Sequence, residues 1–178
     1  MANDLWRSPP EVFNTLDAEF NFIADMASSH ENALCALHYT EEDDSLSFDW
    51  ATCPALQSNK LAYVFLNCPY SNPMPWIKQA LKAQAGGLGV VMLLNNDDSV
   101  GWFAEALKGV SEIRRIIADP TQEGKREYSS GRLAFLNENG DPVSGNNKPQ
   151  FILVFNPFKI GDNHTTYIPK SYFYKETK

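Results

Sequence analysis

The sequence is short of the residues that hold metals or cross-link chains, with three cysteines (Cys35, Cys53, Cys68) and three histidines (His30, His38, His164). The cysteines form no CxxC pair and the histidines are too scattered to complete a zinc set, so neither a disulfide framework nor a structural metal is supported. Cys35 and Cys53 read as small hydrophobes in the core. Positive charge is scarce too: 15 Lys and Arg against 22 Asp and Glu leave a net charge of −7. That argues against coating nucleic acid by bulk electrostatics, which needs clustered Lys and Arg. A local basic face is still compatible, because Lys108, Arg114, Arg115, Lys125, Arg126 and Arg132 gather in the second half while Glu41-Glu42-Asp43-Asp44 is acidic. No apolar run approaches bilayer length and Met1-Ala2-Asn3-Asp4 has no basic n-region, so the expectation is a cytoplasmic protein with no membrane partner. Also missing is a glycine-rich GxG after the first predicted strand, which leaves a cofactor loop without its common signal.

What is present describes one packed domain over residues 1–178, with 43% hydrophobic and 12% aromatic residues. Pro9-Pro10 followed by Glu11 to Phe20 predicts a helix with Ser8 as its cap and Val12, Phe13, Leu16 and Phe20 on one face. Phe22 to Asp25 predicts a short buried strand, followed by the small residues Ala27-Ser28-Ser29 and a helix through Ala36. Leu61 to Leu66 predicts a strand, and Pro75 to Gln84 a helix that Gly86-Gly87 ends. Gly89 to Leu94 is a near-continuous apolar run, as in a strand covered on both faces. A helix over Trp102 to Leu107 comes next, then strands over 113–117, 133–136 and 151–155, with an exposed loop over 137–149. This alternation implies an α/β fold with a mostly parallel central sheet flanked by helices. Ligands of such sheets gather at the carboxyl ends of strands, where both Asp25 and the Asn67–Tyr70 loop fall.

Asn67-Cys68-Pro69-Tyr70 places four useful groups in sequence. The Asn67 side-chain carbonyl and the Cys68 backbone carbonyl are two acceptors that can take the two hydrogens of a planar amino group. Pro69 stiffens the loop and biases Cys68 toward extended geometry, and Tyr70 offers a flat face for stacking. Taken alone, the four residues read more simply as a strand-to-helix turn, since Asn and Pro are turn residues.

The wider order of residues weighs the other way. Asn67-Cys68-Pro69-Tyr70-Ser71 followed by Pro75-Trp76 resembles the NPPY-S…PW pattern of phage-type DNA N-6-adenine methyltransferases, the Dam family. Trp6-Arg7-Ser8-Pro9 is similar to that family's W-x-T-P, and Phe22-Ile23-Ala24-Asp25-Met26-Ala27-Ser28 to its F-x-x-D-A-A-A. Asn32-Ala33, Tyr39-Thr40, Asp43-Asp44-Ser45-Leu46 with Trp50, Val91 to Leu94, Trp102-Phe103 and Gly131 to Phe135 follow in the family's order. The resemblance spans about Trp6 to Phe155 and lies in the ordered series rather than in any one motif.

The resemblance implies a Rossmann-like domain that transfers a methyl group from S-adenosylmethionine to the exocyclic N-6 amine of adenine in double-stranded DNA. It implies a catalytic loop of Asn67, Cys68, Pro69 and Tyr70, in which Tyr70 stacks on a base extruded from the duplex. For the cofactor it implies Ser8 and Pro9 at the methionine part, Asp25 and Ala27 along the cleft, and Asp44 near the adenosine end. Asp25 reads equally well as a helix cap at a strand end. For DNA, the candidate contacts are Arg132, Arg126 and Lys125 and the loops over 121–130 and 137–149. A surface salt bridge is an equal reading of Arg132.

Two departures from the family pattern bear on activity. Cys68 stands where the motif has its first proline, which costs rigidity and leaves the backbone acceptor in place. Asn95-Asn96-Asp97-Asp98 makes the end of its strand more polar and acidic than the family's proline-alanine-aspartate-threonine. Two further readings follow: a catalytically inactive binding protein of the same fold, or methyl transfer to a protein glutamine amide. Cys68 as a covalent nucleophile has little support, since no base accompanies it and an amine needs no covalent adduct. Trp76, Trp102 and Phe103 read as core.

Overall fold

The computed structural model of the protein describes residues 6–58, 60–121, 127–158 and 162–174. Helix α1 (Pro10–Phe20) starts from Pro9, whose extended backbone leaves its carbonyl to accept from Val12 N–H at 3.1 Å and Phe13 N–H at 3.3 Å. The expected Ser8 cap is therefore displaced by one residue: proline can open a helix because it lacks only a donor the first turn does not use. Ser8 is instead buried, at 6% exposure. The chain then passes through β1 (Phe22–Asp25), β2 (Tyr63–Leu66), α2 (Met74–Ala85), β3 (Gly89–Asn95), α3 (Gly101–Ala106), β4 (Glu112–Ile117), β5 (Gln150–Phe155) and β6 (His164–Pro169).

The strands form one sheet in the order β1-β2-β3-β5-β4-β6. β1 with β2, β2 with β3 and β4 with β6 are parallel pairs, whereas β5 runs antiparallel to both its neighbours, β3 and β4. The mostly parallel sheet expected from the alternation is thus a mixed one, because the long loop before β5 lets that strand enter reversed between β3 and β4. The other five strands point the same way, so their carboxyl ends share one rim. β5 begins on that rim, since Gln150 pairs with Asn95 at the end of β3.

Strand alternation builds the two cores. Val64 and Leu66, Val90, Met92 and Leu94, and Leu153 and Phe155 face Ile77 and Ala80 of α2 and Phe103 of α3. Tyr63 and Phe65, Val91 and Leu93, and Ile152 and Val154 face Val12, Phe13 and Leu16 of α1. β3 and β5 are buried along both faces, which is why each reads as a continuous apolar run. Gly89 is required where it stands: a Cβ there would lie 2.2 Å from the Tyr63 ring of the paired strand.

Two expectations meet a different local structure, and one strand lies where none is expected. The segment after Ala27 forms turns rather than a helix through Ala36, because side chains claim its backbone donors. Asn32 Oδ1 accepts from Ser29 N–H at 2.7 Å and Asp25 Oδ2 from Leu34 N–H at 3.2 Å. Residues 133–136 are not a sheet strand either: Leu133 N–H donates to the Gln150 side chain at 3.1 Å, and Leu136 pairs in single bridges with Arg7 and Pro142. Leu133 and Phe135 still bury their side chains, so this stretch covers the α1 face without joining the ladder. β6 was not anticipated, because its largely exposed His-Thr-Thr-Tyr-Ile-Pro carries no apolar signal at a sheet edge.

On the α1 face, Arg114 at 9% exposure grips Glu19 of α1 through both terminal nitrogens at 2.6 Å and reaches Glu112 at 2.9 Å. This fork fixes α1 against β4. Among the described residues no helix is long and apolar enough to cross a membrane.

Candidate active site

Because β1 and β2 are parallel neighbours in register Asp25↔Phe65, their carboxyl ends place Asp25 and Asn67 side by side. A small polar cavity opens there. Asp25, Ala27 and Ser28 line it from the end of β1, Phe65 and Asn67 from β2, Asn32 and Leu34 from the following turns, and Trp6, Arg7 and Ser8 from the segment before α1. The structure therefore brings Ser8, Asp25 and Ala27, expected at a cofactor, to the same cavity as the expected catalytic Asn67.

Asp25 is 3% exposed and serves as a hub. Its carboxylate accepts from Leu34 N–H at 3.2 Å and Ala27 N–H at 3.4 Å, and its backbone pairs with Leu37 and Tyr39 at 3.0 and 2.9 Å. Burial pushes its carboxyl above the ordinary range, against the lowering effect of those N–H groups and of His38. The turns over 28–38 are thus wrapped around the end of β1 by one residue, through its side chain and its backbone, which explains both the lost helix and the cavity wall.

Asn67 contributes an uncommon feature: its side-chain oxygen Oδ1 is buried with no hydrogen-bond partner. Ser28 Oγ is in the same condition on the same cavity. A buried acceptor left unpaired costs about 1–3 kcal/mol, so such groups mark places where a ligand supplies the missing partner. Beyond Asn67 the loop turns into the protein. Cys68 is 2% exposed with its side chain in the α2-side core, away from any role as an open nucleophile. Tyr70 packs between both cores, edge-on to Phe135 with ring centroids 6.1 Å apart. Its hydroxyl is also buried and unpartnered, and burial, then the Cys68 thiol, push its phenol well up.

The other expected residues lie apart from the cavity. Pro9 is buried as the cap of α1 and does not line it. Asp44 is exposed in a left-handed conformation before a short 3-10 turn. Its neighbour Ser45 donates to the Met26 carbonyl at 2.7 Å and accepts from Trp50 Nε1 at 2.6 Å, which ties this acidic loop to the residue after Asp25. Arg132 is exposed beside the end of β4, where a Cβ on Gly131 would lie 2.6 Å from the Ile117 carbonyl carbon. Lys125 and Arg126, and with them part of the 121–130 loop, lie outside the described residues. The polar end of β3 is satisfied internally: Arg115 donates to Asn96 at 2.7 Å and Asp98 at 2.8 Å, while Gln150 donates to Asn95 at 3.2 Å. Sequence reasoning missed Arg7, Ser28, Asn32 and Leu34 as cavity residues, since only the turns around Asp25 bring them there. Among the described residues no group of three or more His, Cys, Asp or Glu could hold a metal ion.

A polar cleft at the carboxyl ends of adjacent parallel strands, with a buried carboxylate on one strand and an unpaired carboxamide on the next, lies where α/β enzymes commonly grip small polar ligands. The family described as DNA N-6-adenine-methyltransferase (Dam) matches residues 1–177. The chain is 37% identical over 173 residues to a DNA N-6-adenine-methyltransferase of Escherichia phage T1, across 94% of this chain and 69% of that protein. It is 32% identical over 158 residues to a DNA N-6-adenine-methyltransferase of Haemophilus phage HP1 (strain HP1c1), across 86% and 79%. A putative methyltransferase, YfdM, of Escherichia coli (strain K12) is 36% identical over 80 residues, 42% of this chain and 76% of that one. The chain belongs to the DNA N-6-adenine-methyltransferase (Dam) family. It is an enzyme that methylates the N-6 amine of adenine in DNA, and the readings as an inactive binding protein or a glutamine methyltransferase are not favoured.

Proposed function

We propose that the cavity between β1 and β2 is the catalytic centre, with Asn67 as the residue that orients the adenine amine and S-adenosylmethionine as the methyl donor. The observation that carries this reading is the buried, unpartnered Asn67 Oδ1 on a cavity it shares with Asp25. The amine of adenine is a weak nucleophile because its lone pair is delocalised into the ring. An Asn67 carbonyl that accepts one amino hydrogen, with the Cys68 backbone carbonyl accepting the other, favours the geometry in which that pair points out of the ring. Asn67 Oδ1 meets no competing donor among the described residues, so its full acceptor strength is available to substrate. Pro69 holds the loop direction, and Tyr70, braced on Phe135, flanks the base.

The residues also fit the donor. Ser8, Asp25 and Ala27 line the same cavity as Asn67, and the unpaired Ser28 hydroxyl adds a donor that a polar ligand can satisfy. Ser8 would hold the methionine part with support from Pro9, Asp25 and Ala27 would line the cleft, and Asp44 would stand toward the adenosine end. When bound, S-adenosylmethionine supplies an electrophilic methyl group on its sulfonium. The parallel strands and the reversed β5 are in keeping with a Rossmann-like methyltransferase sheet.

Double-stranded DNA would lie across the rim of carboxyl strand ends. Arg132 sits at the end of β4, three strand positions from β2, or about 14 Å at roughly 4.8 Å per strand. Exposed Lys148 precedes β5 on the same rim, so two cations stand on one side of the site, at a distance that suits phosphates beside an extruded base. The 137–149 loop carries the second of them, and Lys125 and Arg126 are further candidates. Incubation with labelled S-adenosylmethionine and varied DNA, then digestion to nucleosides, should yield N-6-methyladenine that is lost with Asn67→Ala. Label that appears only in protease-sensitive product would refute the reading.

A further inference from the structure

The cavity has one cationic side chain on its wall, and it has no assigned task. Arg7 is half-buried, directly before Ser8, and its backbone is fixed: its N–H donates to the Leu136 carbonyl at 2.9 Å and its carbonyl accepts from Leu136 N–H at 3.0 Å. Its guanidinium forms no ion pair or side-chain hydrogen bond among the described residues. Glu31, which belongs to the turns that close the cavity, feels it at a distance: the Ser29 hydroxyl chiefly, and Arg7 among the weaker influences, hold that carboxyl below its usual range. Arg7 thus stands on the cavity wall as a cation that no carboxylate of the described residues neutralises. On the adjoining wall, Ser28 Oγ is buried without a partner.

The chemistry of these groups selects one part of the donor. S-adenosylmethionine is a zwitterion at its amino-acid end, with a carboxylate that needs donors and an ammonium that needs acceptors. The cavity holds both kinds: Arg7 and Ser28 offer donors, and Asp25 offers a carboxylate. A guanidinium binds a carboxylate through two parallel bonds, which fixes direction as well as affinity. Placing the carboxylate near Arg7 and the ammonium toward Asp25 sets the sense in which the amino-acid tail enters.

We infer that Arg7 and Ser28 form the subsite for the α-carboxylate of the cofactor's amino-acid tail, and that Arg7 is a positioning residue that fixes the tail's direction. This rests on the reading of the cavity as the S-adenosylmethionine site. The test is calorimetric and needs no turnover. Wild-type protein, Arg7→Met and Ser28→Ala are titrated with S-adenosylhomocysteine and with its decarboxylated analogue, which keeps the adenosine, the sulfur and the amine. Charge-assisted hydrogen bonds of this kind correspond to about a ten- to hundredfold preference of the wild type for the carboxylate-bearing ligand. Arg7→Met should erase that preference, and Ser28→Ala should reduce it several-fold. Arg7 touches the fold through its backbone, so the substitution keeps the Leu136 bridge, and Arg7→Lys should restore part of the preference. Equal binding of both ligands by the wild type, or a preference unchanged in Arg7→Met, overturns the subsite and leaves the cavity as the cofactor site. Failure of the wild type to bind either ligand overturns both.

Discussion

Replacing Asn67 by alanine should make the protein more stable and nearly inactive, an opposed pair of effects that a structural asparagine cannot give. In the folded protein Asn67 Oδ1 is buried with no partner, so folding strips water from an acceptor and returns nothing. Removing it relieves a penalty of about 1–3 kcal/mol, part of which is offset by lost packing of the side chain. A net gain of about 1 kcal/mol raises the melting temperature by about 2–4 °C in a domain of this size. In the proposed mechanism the same acceptor holds an amino hydrogen so that the nitrogen lone pair leaves conjugation in the transition state. By analogy with loss of one oxyanion-hole donor, its removal lowers kcat by about 10²–10³, or about 2.7–4 kcal/mol. Thermal unfolding and turnover with labelled donor and duplex DNA, measured on one preparation, check both halves. A variant that keeps the wild-type rate refutes the mechanism. One that loses more than about 2 kcal/mol of stability and activity together shows that Asn67 holds the loop rather than the substrate.

Other outcomes follow from the same reasoning. Tyr70→Phe removes a second buried, unpartnered oxygen while keeping the ring against Phe135, so unfolding should show stability unchanged or raised by about 1 kcal/mol and activity within a few-fold of wild type; Tyr70→Ala should lose both. Glu112 is pulled two ways: burial raises its carboxyl, but the Arg114 guanidinium, with Thr166 and His164, more than offsets this and holds it below the ordinary range. A depressed folded pKa stabilises above the unfolded value and is lost as pH falls through the folded one, so the stability gap between wild type and Glu112→Gln should shrink as pH drops below about 4. Urea unfolding at pH 7 and at pH 3.5 would show it, and a gap that widens in acid would refute the assignment. Arg132→Ala should weaken binding to all duplexes alike and lower the slope of log affinity against log salt by about one, as measured by anisotropy; an unchanged slope would place Arg132 off the DNA.

Much of this was legible in the sequence because it depends on periodicity and on turn chemistry. The apolar runs of β2, β3 and β5 and the proline-started helices α1 and α2 follow from local pattern, and each fell within a residue or two of its expected place. The ordered motifs from Trp6 to Phe135 carried the family, since the chain's similarity to its relatives runs along its length rather than through one signature. What the sequence could not determine is whatever depends on a distant partner. Residues 28–36 have helical composition but lose their backbone donors to Asp25 and Asn32, and residues 133–136 look like a strand but meet Gln150 and Arg7 instead of a ladder. The direction of β5 and the place of β6 are decided by strand pairing, which a one-dimensional pattern does not encode. The cavity is tertiary in the same sense. Sequence order named Ser8, Asp25 and Asn67, but only the parallel pairing of β1 with β2 and the bridge from Arg7 to Leu136 put them on one cavity, together with an arginine and a serine that the motifs contain without giving them a role.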